Sequence, residues 1–473
     1  MDRKYQKLAS NTLLFAISNF SSKLLSLFLQ PYITHAMGGV EDVGITKLVT
    51  NIGALLIPMV SMGVSFAIIR FGLDKLNDKS QVFTNGLVTI FLGFFIMVGF
   101  YPLLRLIPLF NAYAVLLYIH VLASCLRTLC TQFIRSRQLN RLVAVDGVLC
   151  SATTLGFMIL FLSGFHMDAK GYLLSIICAD LLSALFIFVM GNLKRYINFK
   201  HFNTALWKSM MAYALPMIPA QISFWVINAS DLFFVKAMCN GYQGHDGAYW
   251  SGLLGVGYFL PTMLTVLGDI FYQAWQLSAV TEEHGREKFF SKVFAIYQSF
   301  LFCCCSGIIL FCQPLMFVFK SSFFDAWQYV PMLTLATLFN CLNQFLNSIY
   351  MVEKRSTFSL YTMMAGAIAN CILNFILIPV CGPLGVTIAS FLSYLLVFVL
   401  RAITTRSLMR VNYAPLAVIT NIAMICIEIW IMLNQGTHWV VWSTALTAII
   451  CVFNLPNLLG ILKMLPTGRK KKA

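Results

Sequence analysis

The chain opens, at residues 9–37, on a long apolar run crossed by a narrow polar stripe. At about 100° per residue, Asn19, Lys23, Ser26, Gln30 and Thr34 share an arc of about 80°. Such a run is long enough for a helix to cross a bilayer of roughly 30 Å, with Lys23 some 20 Å from its start. A charge that deep is costly in hydrocarbon, so the stripe is expected to face protein or a water-filled cavity. Similar runs follow at about 44–69, 84–104, 112–134, 142–164, 171–191, 208–235, 248–272, 290–318, 327–350, 358–380, 383–402, 413–434 and 438–462. The pattern predicts an all-α polytopic membrane protein with 14 transmembrane helices. Pro58, Pro216, Pro219 and Pro261 lie inside these spans and predict kinks.

Polar stripes recur along the chain. In span seven, Gln221, Trp225 and Asn228 share a face, and in span four His120, Ser124, Arg127 and Thr131 do so. In span ten the face is a row of amides, Asn340, Asn343, Gln344 and Asn347. Identities recur as well. Ala36 and Met37 match Ala237 and Met238 at an offset of 201, while Gly44 with Gly247 and Pro58 with Pro261 stand 203 apart. Together with matched span spacing, this predicts two parallel six-helix lobes, residues 1–200 and 201–410. Two C-terminal helices and a basic tail, 411–473, complete the chain. Six spans are an even number, so both lobes enter the membrane in the same direction, with the pseudo-two-fold axis along its normal. Transporters built this way bind substrate between the halves and rock around it.

Composition agrees with this picture. The chain is 59% hydrophobic and 11% charged, against about 25% charged for soluble domains. The N-terminal MDRKYQK precedes a run too long for a signal-peptide core, so the first span is expected to be retained. The 14 cysteines lie mostly in apolar runs, in no disulfide or metal-binding spacing. The net charge of +16 is distributed by loop. With the N-terminus in the cytoplasm, 26 Lys and Arg fall on the cytoplasmic side. The opposite loops hold five, Lys47, Arg105, Lys170, Lys236 and Lys320, while Lys23 and Arg127 lie within spans. That bias places both termini in the cytoplasm of a cell (inner) membrane and accounts for the basic balance without nucleic acid. The loops are too short for an extramembrane active site, so the expectation is a non-enzyme without cofactor or metal.

Five stretches carry a resemblance: FSSKLLSLFLQPYITHAM, GGVEDVGITKLVTN, MVSMGVSFAIIRFG, YALPMIPAQISFWVINASD and IFYQAWQLSAVTEE. They resemble Wzx-type polysaccharide flippases of the multidrug/oligosaccharidyl-lipid/polysaccharide exporter superfamily. The position after Asp231, commonly basic in that family, is Leu232 here. The resemblance implies movement of undecaprenyl-diphosphate-linked oligosaccharide units from the cytoplasmic to the outer leaflet by alternating access. This serves surface polysaccharide biosynthesis beside a polymerase machinery.

The residue types fit such a cargo, which needs cations for its diphosphate and amides and aromatics for its sugars. The substrate-binding candidates are Lys23, Arg127, Asn19, Gln30, Gln221, Trp225, Asn228, Asn340, Asn343, Gln344 and Asn347. Asp180, His120 and Glu428 are candidates for coupling to a Na+ or H+ gradient. Plainer readings stand beside these. Lys23 can snorkel or pair with Asp180, and Arg127 can snorkel. His120 can be a hydrogen-bonded core residue, and Asp180 a counter-ion. Glu428 can face a lipid-tail groove or a helix contact, and the span-ten amides can be interhelical glue. Asp146, Asp231 and Asp269, near span ends, read as interfacial. Two other functions compete: an ion-coupled multidrug exporter, which would favour acidic and aromatic residues over cations, and a membrane-embedded polymerase or ligase, which would want a large outward loop.

Overall fold

The structure, a computed structural model, describes residues 29–74, 76–102, 111–281, 285–353 and 355–462. Every regular element among them is a helix. Eleven of these helices are long and apolar enough to cross a membrane, or twelve if a pair bent by 40°, Gly247–Gly257 and Phe259–Tyr272, forms one span. Two predicted spans are not among them. Residues 9–28 of the first lie outside the described residues. The tenth appears as Val330–Val352, 23 residues and about 35 Å long at ~1.5 Å per residue, its hydropathy lowered by its amide row.

Numbered along the chain, the helices are α1 Val40–Val60, α2 Val64–Leu73, α3 Lys79–Gly99, α4 Ala114–Ser136, α5 Asn140–Met158, α6 Ala169–Met190, α7 Thr204–Ala214, α8 Met217–Ala229, α9 Asp231–Met238 and α10 Gly247–Gly257. There follow α11 Phe259–Thr281, α12 Arg286–Leu310, α13 Cys312–Met316, α14 Val330–Val352, α15 Ser356–Cys381, α16 Pro383–Arg406, α17 Pro415–Asn434 and α18 Trp439–Leu462. Local chemistry sets several ends. The Asp78 carboxylate accepts from Ser80 N to cap α3, and the Asn203 side chain accepts from Leu206 N to cap α7. Proline occupies the first turn of α14, α16 and α17, where its missing N–H is no loss.

The predicted kinks appear as breaks. After Pro58 the chain passes through positive φ at Met62 (49°) and Gly63 (65°), dividing the second span into α1 and α2. Gly63 fits because a Cβ there would stand 2.8 Å from the Ala214 carbonyl oxygen. Leu215 and Pro216 separate α7 from α8, and Pro261 lies in the first turn of α11, just after the 40° bend.

Contacts divide the described chain into two compact units, one ending at Gly255 and one running from Val256. In the first, α6 packs along both α4 and α5, while α4 and α5 touch little. In the second, α16 packs along both α14 and α15, which also touch little, and α12 packs along α18. One three-helix arrangement therefore occurs once in each unit. The second unit has an aromatic centre: Trp275 is fully buried, stacks on Phe345 with centroids 4.6 Å apart, and donates its indole N–H to Ser348 Oγ at 2.8 Å. Hydrocarbon is as apolar as such a centre, so close packing and hydrogen bonds, more than water exclusion, hold it.

The exposed residues of several helices are apolar. Examples are Ile368, Ile372, Phe375, Ile376 and Val380 on α15, and Leu416, Ile419, Ile427 and Trp430 on α17. These faces suit lipid, where every backbone group is satisfied inside the helix.

Candidate functional site

In the first unit a half-buried cation meets the stripe of the first predicted span. Lys47 Nζ donates to Gln30 Oε1 at 2.6 Å. The Gln30 amide oxygen is thus taken, and its nitrogen, Nε2, is buried with no hydrogen-bond partner among the described residues. Lys47 lies seven residues into α1, about 10 Å from its start, and not in an outward loop. The Lys47 stem also runs against Gly255, where a Cβ would stand 3.2 Å from Lys47 Cγ. One turn along α1 from Lys47, the Asn51 carbonyl accepts from the Trp225 indole N–H at 2.7 Å. That bond brings the span-seven stripe to α1. On α8, Asn228 Nδ2 donates to the Phe224 carbonyl at 2.7 Å and Gln221 is half-buried. Lys23 and Asn19 lie outside the described residues.

A second cluster joins α4, α5 and α6. Arg127 Nη1 donates to Asp180 Oδ1 at 3.2 Å, and its Nε donates to Ser183 Oγ at 2.8 Å. Ser183 Oγ in turn donates to Asp146 Oδ1 at 2.5 Å, and the Ser124 hydroxyl donates to Asp180 Oδ2. Asp146 Oδ2 stands 3.8 Å from Arg127 Nη2, beyond hydrogen-bond reach. Asp146 is enclosed by its neighbours: its side chain keeps 1% exposure, against 30% for Arg127. Asp231 is likewise buried, where α9 begins. His120 is buried with its ring against Gly53, and its Nδ1 has no hydrogen-bond partner among the described residues.

In the second unit α14 is buried on most of its circumference. The half-exposed positions Thr337, Asn340, Gln344 and Asn347 form one stripe at helical spacing. Along its middle turns the exposure is thus polar, the reverse of the lipid-suited faces of α15 and α17. Asn343 departs from that row. It is buried, donates from Nδ2 to the Tyr394 carbonyl at 2.9 Å, and its own carbonyl accepts from Arg401 Nη1 at 2.6 Å. Arg401 also donates from Nε to Thr362 Oγ1 at 3.1 Å, and no described carboxylate pairs with it. The sequence places it at a cytoplasmic loop, but α16 continues through it to Arg406.

Glu428 is a helix contact. It is fully buried and accepts from Ser306 Oγ at 2.7 Å and Thr447 Oγ1 at 2.9 Å, which ties α17 to α12 and α18. An amide pair, Asn421 with Asn454, and an Asn457–Ser299 bond at 3.0 Å add to the same three-helix contact. Among the described residues no group of His, Cys, Asp and Glu is arranged to hold a metal ion.

No protein-family model matches the chain, and no curated protein does. Solved structures do. The lipid II flippase MurJ in an inward closed conformation is 14% identical at a TM-score of 0.71, covering 95% of this chain and 100% of its own. An inward-facing multidrug resistance MATE family transporter of the MOP superfamily is 13% identical at a TM-score of 0.70, covering 86% and 99%. This chain has the fold of the MOP-superfamily transporters. The MOP fold has also been solved facing outward, in a MATE transporter 15% identical at a TM-score of 0.62 that covers 86% and 97%. The resemblance read from the sequence therefore holds at the level of this fold.

Proposed function

We propose that the chain is a flippase carrying undecaprenyl-diphosphate-linked oligosaccharide units from the cytoplasmic to the outer leaflet of the cell membrane. On this reading it has fourteen spans, lobes at 1–200 and 201–410, both termini in the cytoplasm, and a Na+ or H+ gradient driving it. The observation that carries the reading is the pairing of Lys47 with Gln30. A half-buried ammonium beside a buried amide N–H that has no acceptor among the described residues calls for an anion. Lys23 precedes Gln30 by seven residues, two helical turns, on the same predicted stripe. The amides of α14 and the Trp225 ring suit sugar hydroxyls and sugar faces. MurJ, whose fold this chain shares, is a lipid II flippase. The solved MATE transporters support the second reading, a multidrug exporter, at similar TM-scores. A cationic drug would be repelled by Lys47, which has no described carboxylate beside it.

Two experiments test this. Surface-polysaccharide complementation, read beside a membrane-abundance blot, should lose the polymer in Lys23→Ala, keep part of it in Lys23→Arg and lose it fully in Lys23→Glu. Normal polymer in Lys23→Ala at normal abundance contradicts a phosphate role for that residue. Cysteine-accessibility tagging should find positions near 243 and 437 outside and positions near 77, 197 and 408 inside. Any one on the wrong side breaks the fourteen-span arrangement.

A further inference from the structure

The cluster on α4, α5 and α6 has one cation for two carboxylates. Arg127 bonds Asp180 directly and reaches Asp146 through Ser183, and each carboxylate also accepts a serine hydroxyl. The carboxylates are buried, while Arg127 keeps 30% of its side chain exposed and so stands at the open edge of the cluster. Thr128, Thr131 and Gln132, half-exposed, continue that edge along α4.

We propose that this cluster is a counter-ion exchange site. At rest Asp180 is the anion held by Arg127. When a diphosphate arrives, Arg127 turns to it, because a guanidinium forms paired hydrogen bonds with phosphate oxygens as readily as with a carboxylate. Asp180 then has no cation among the described residues. A carboxylate buried without a partner is neutralised by protonation, so it takes one proton from water and keeps its hydroxyl donor, Ser124. Releasing the diphosphate reverses both changes. Charge balances in each state: the anion beside Arg127 is exchanged, and the displaced carboxylate becomes a neutral acid. The other described ionisable groups facing the cluster are Asp146 on α5, His120 and Cys130 on α4, and Cys150 on α5. None is a cation replacing Arg127 unless His120 is protonated. This rests on the anionic-cargo reading above; the proton is bound with the diphosphate and released with it, so it accompanies the cargo and is not the ion whose gradient drives transport.

The test has two parts on the purified full-length chain in lipid nanodiscs. Calorimetry in two buffers of different ionisation enthalpy counts protons per mole of farnesyl diphosphate bound, with inorganic pyrophosphate as a second arm that separates a lipid headgroup from a free phosphate. About one proton should be taken up per diphosphate by the wild type. Asp180→Asn should bind about tenfold or more tightly, with no proton linked. Diphosphate binding without proton uptake by the wild type, or unchanged linkage in Asp180→Asn, overturns the proposal. The second part needs no ligand. Infrared difference spectra of Arg127→Gln against the wild type at neutral pH should show one added protonated carboxyl band, over any that Glu428 gives in both, and that added band should be missing from Arg127→Gln/Asp180→Asn. If that band appears and neither diphosphate binds, Arg127 does hold Asp180 ionised, but the anionic-cargo reading fails and the exchange falls with it. If the band is missing, the exchange site is wrong whatever binds.

Discussion

Lys47→Ala should leave the protein at normal abundance in the membrane and remove most of its transport. Lys47 holds a charge in the interior of the first unit with an amide oxygen as its acceptor. Removing a half-buried charge relieves its desolvation, so insertion should not suffer. A charge-assisted hydrogen bond to a phosphate contributes about 2 kcal/mol, which corresponds to roughly thirtyfold weaker cargo binding when it is lost. Lys47→Arg should retain part of the activity, because the charge survives but a bulkier guanidinium replaces the compact ammonium at Gln30. Lys47→Glu should be inactive. Cargo binding by the purified variant, beside the abundance blot, is the check. Unchanged binding in Lys47→Ala would make the residue a mere anchor for Gln30.

A second large effect is expected where α1 crosses α10. A Cβ on Gly44 would stand 2.0 Å from the Ala248 carbonyl oxygen, and a Cβ on Gly252 would stand 2.0 Å from the Val40 carbonyl oxygen. The two backbones touch, and neither side is a flexible chain end that can move away. Gly44→Val or Gly252→Val must force the helices apart by more than 1 Å, an overpacking of about 1–3 kcal/mol or more at each site. Both variants should melt earlier in detergent and reach lower abundance. Gly147→Ala is the control. It lies within α5 with nothing within 4 Å of its added Cβ, so the change should stabilise by about 0.5–1 kcal/mol through helix propensity alone. Equal melting temperatures for Gly44→Val and the wild type would show that the crossing opens freely.

The spans were legible because hydrocarbon imposes length and apolarity on any helix that crosses it, and because prolines mark where such helices break. The breaks at 61–63 and 215–216 follow Pro58 and precede Pro219 accordingly. Span ends were less legible, and with them the two cations inside helices. Lys47 sits near the start of an apolar run and Arg401 near the end of one, and such charges ordinarily lie in loops. Here neighbouring helices supply acceptors, the Gln30 amide and the Asn343 carbonyl, that let the helix continue past the charge. The partners of Asp146 were hidden for the same reason: a carboxylate near a span end gives no sign that Ser183 and Arg127, from two other helices, stand beside it. The amide row of α14 was visible as a stripe, but only the fold shows that Asn343 leaves it to hold Arg401 while Asn340, Gln344 and Asn347 stay half-exposed. Glu428 could not be assigned from sequence, because its serine and threonine partners come from two other helices.

The central claim is that an anionic lipid-linked sugar is the cargo. The direct measurement is leaflet transfer by the purified chain in liposomes. Half of the inner-leaflet pool of a fluorescent polyprenyl-diphosphate oligosaccharide is followed as it becomes accessible to an external quencher, with ethidium accumulation measured in parallel. The account predicts transfer of the diphosphate lipid that Lys47→Ala abolishes, and no ethidium movement. Ethidium transport with an immobile diphosphate lipid would contradict it and make the chain a multidrug exporter.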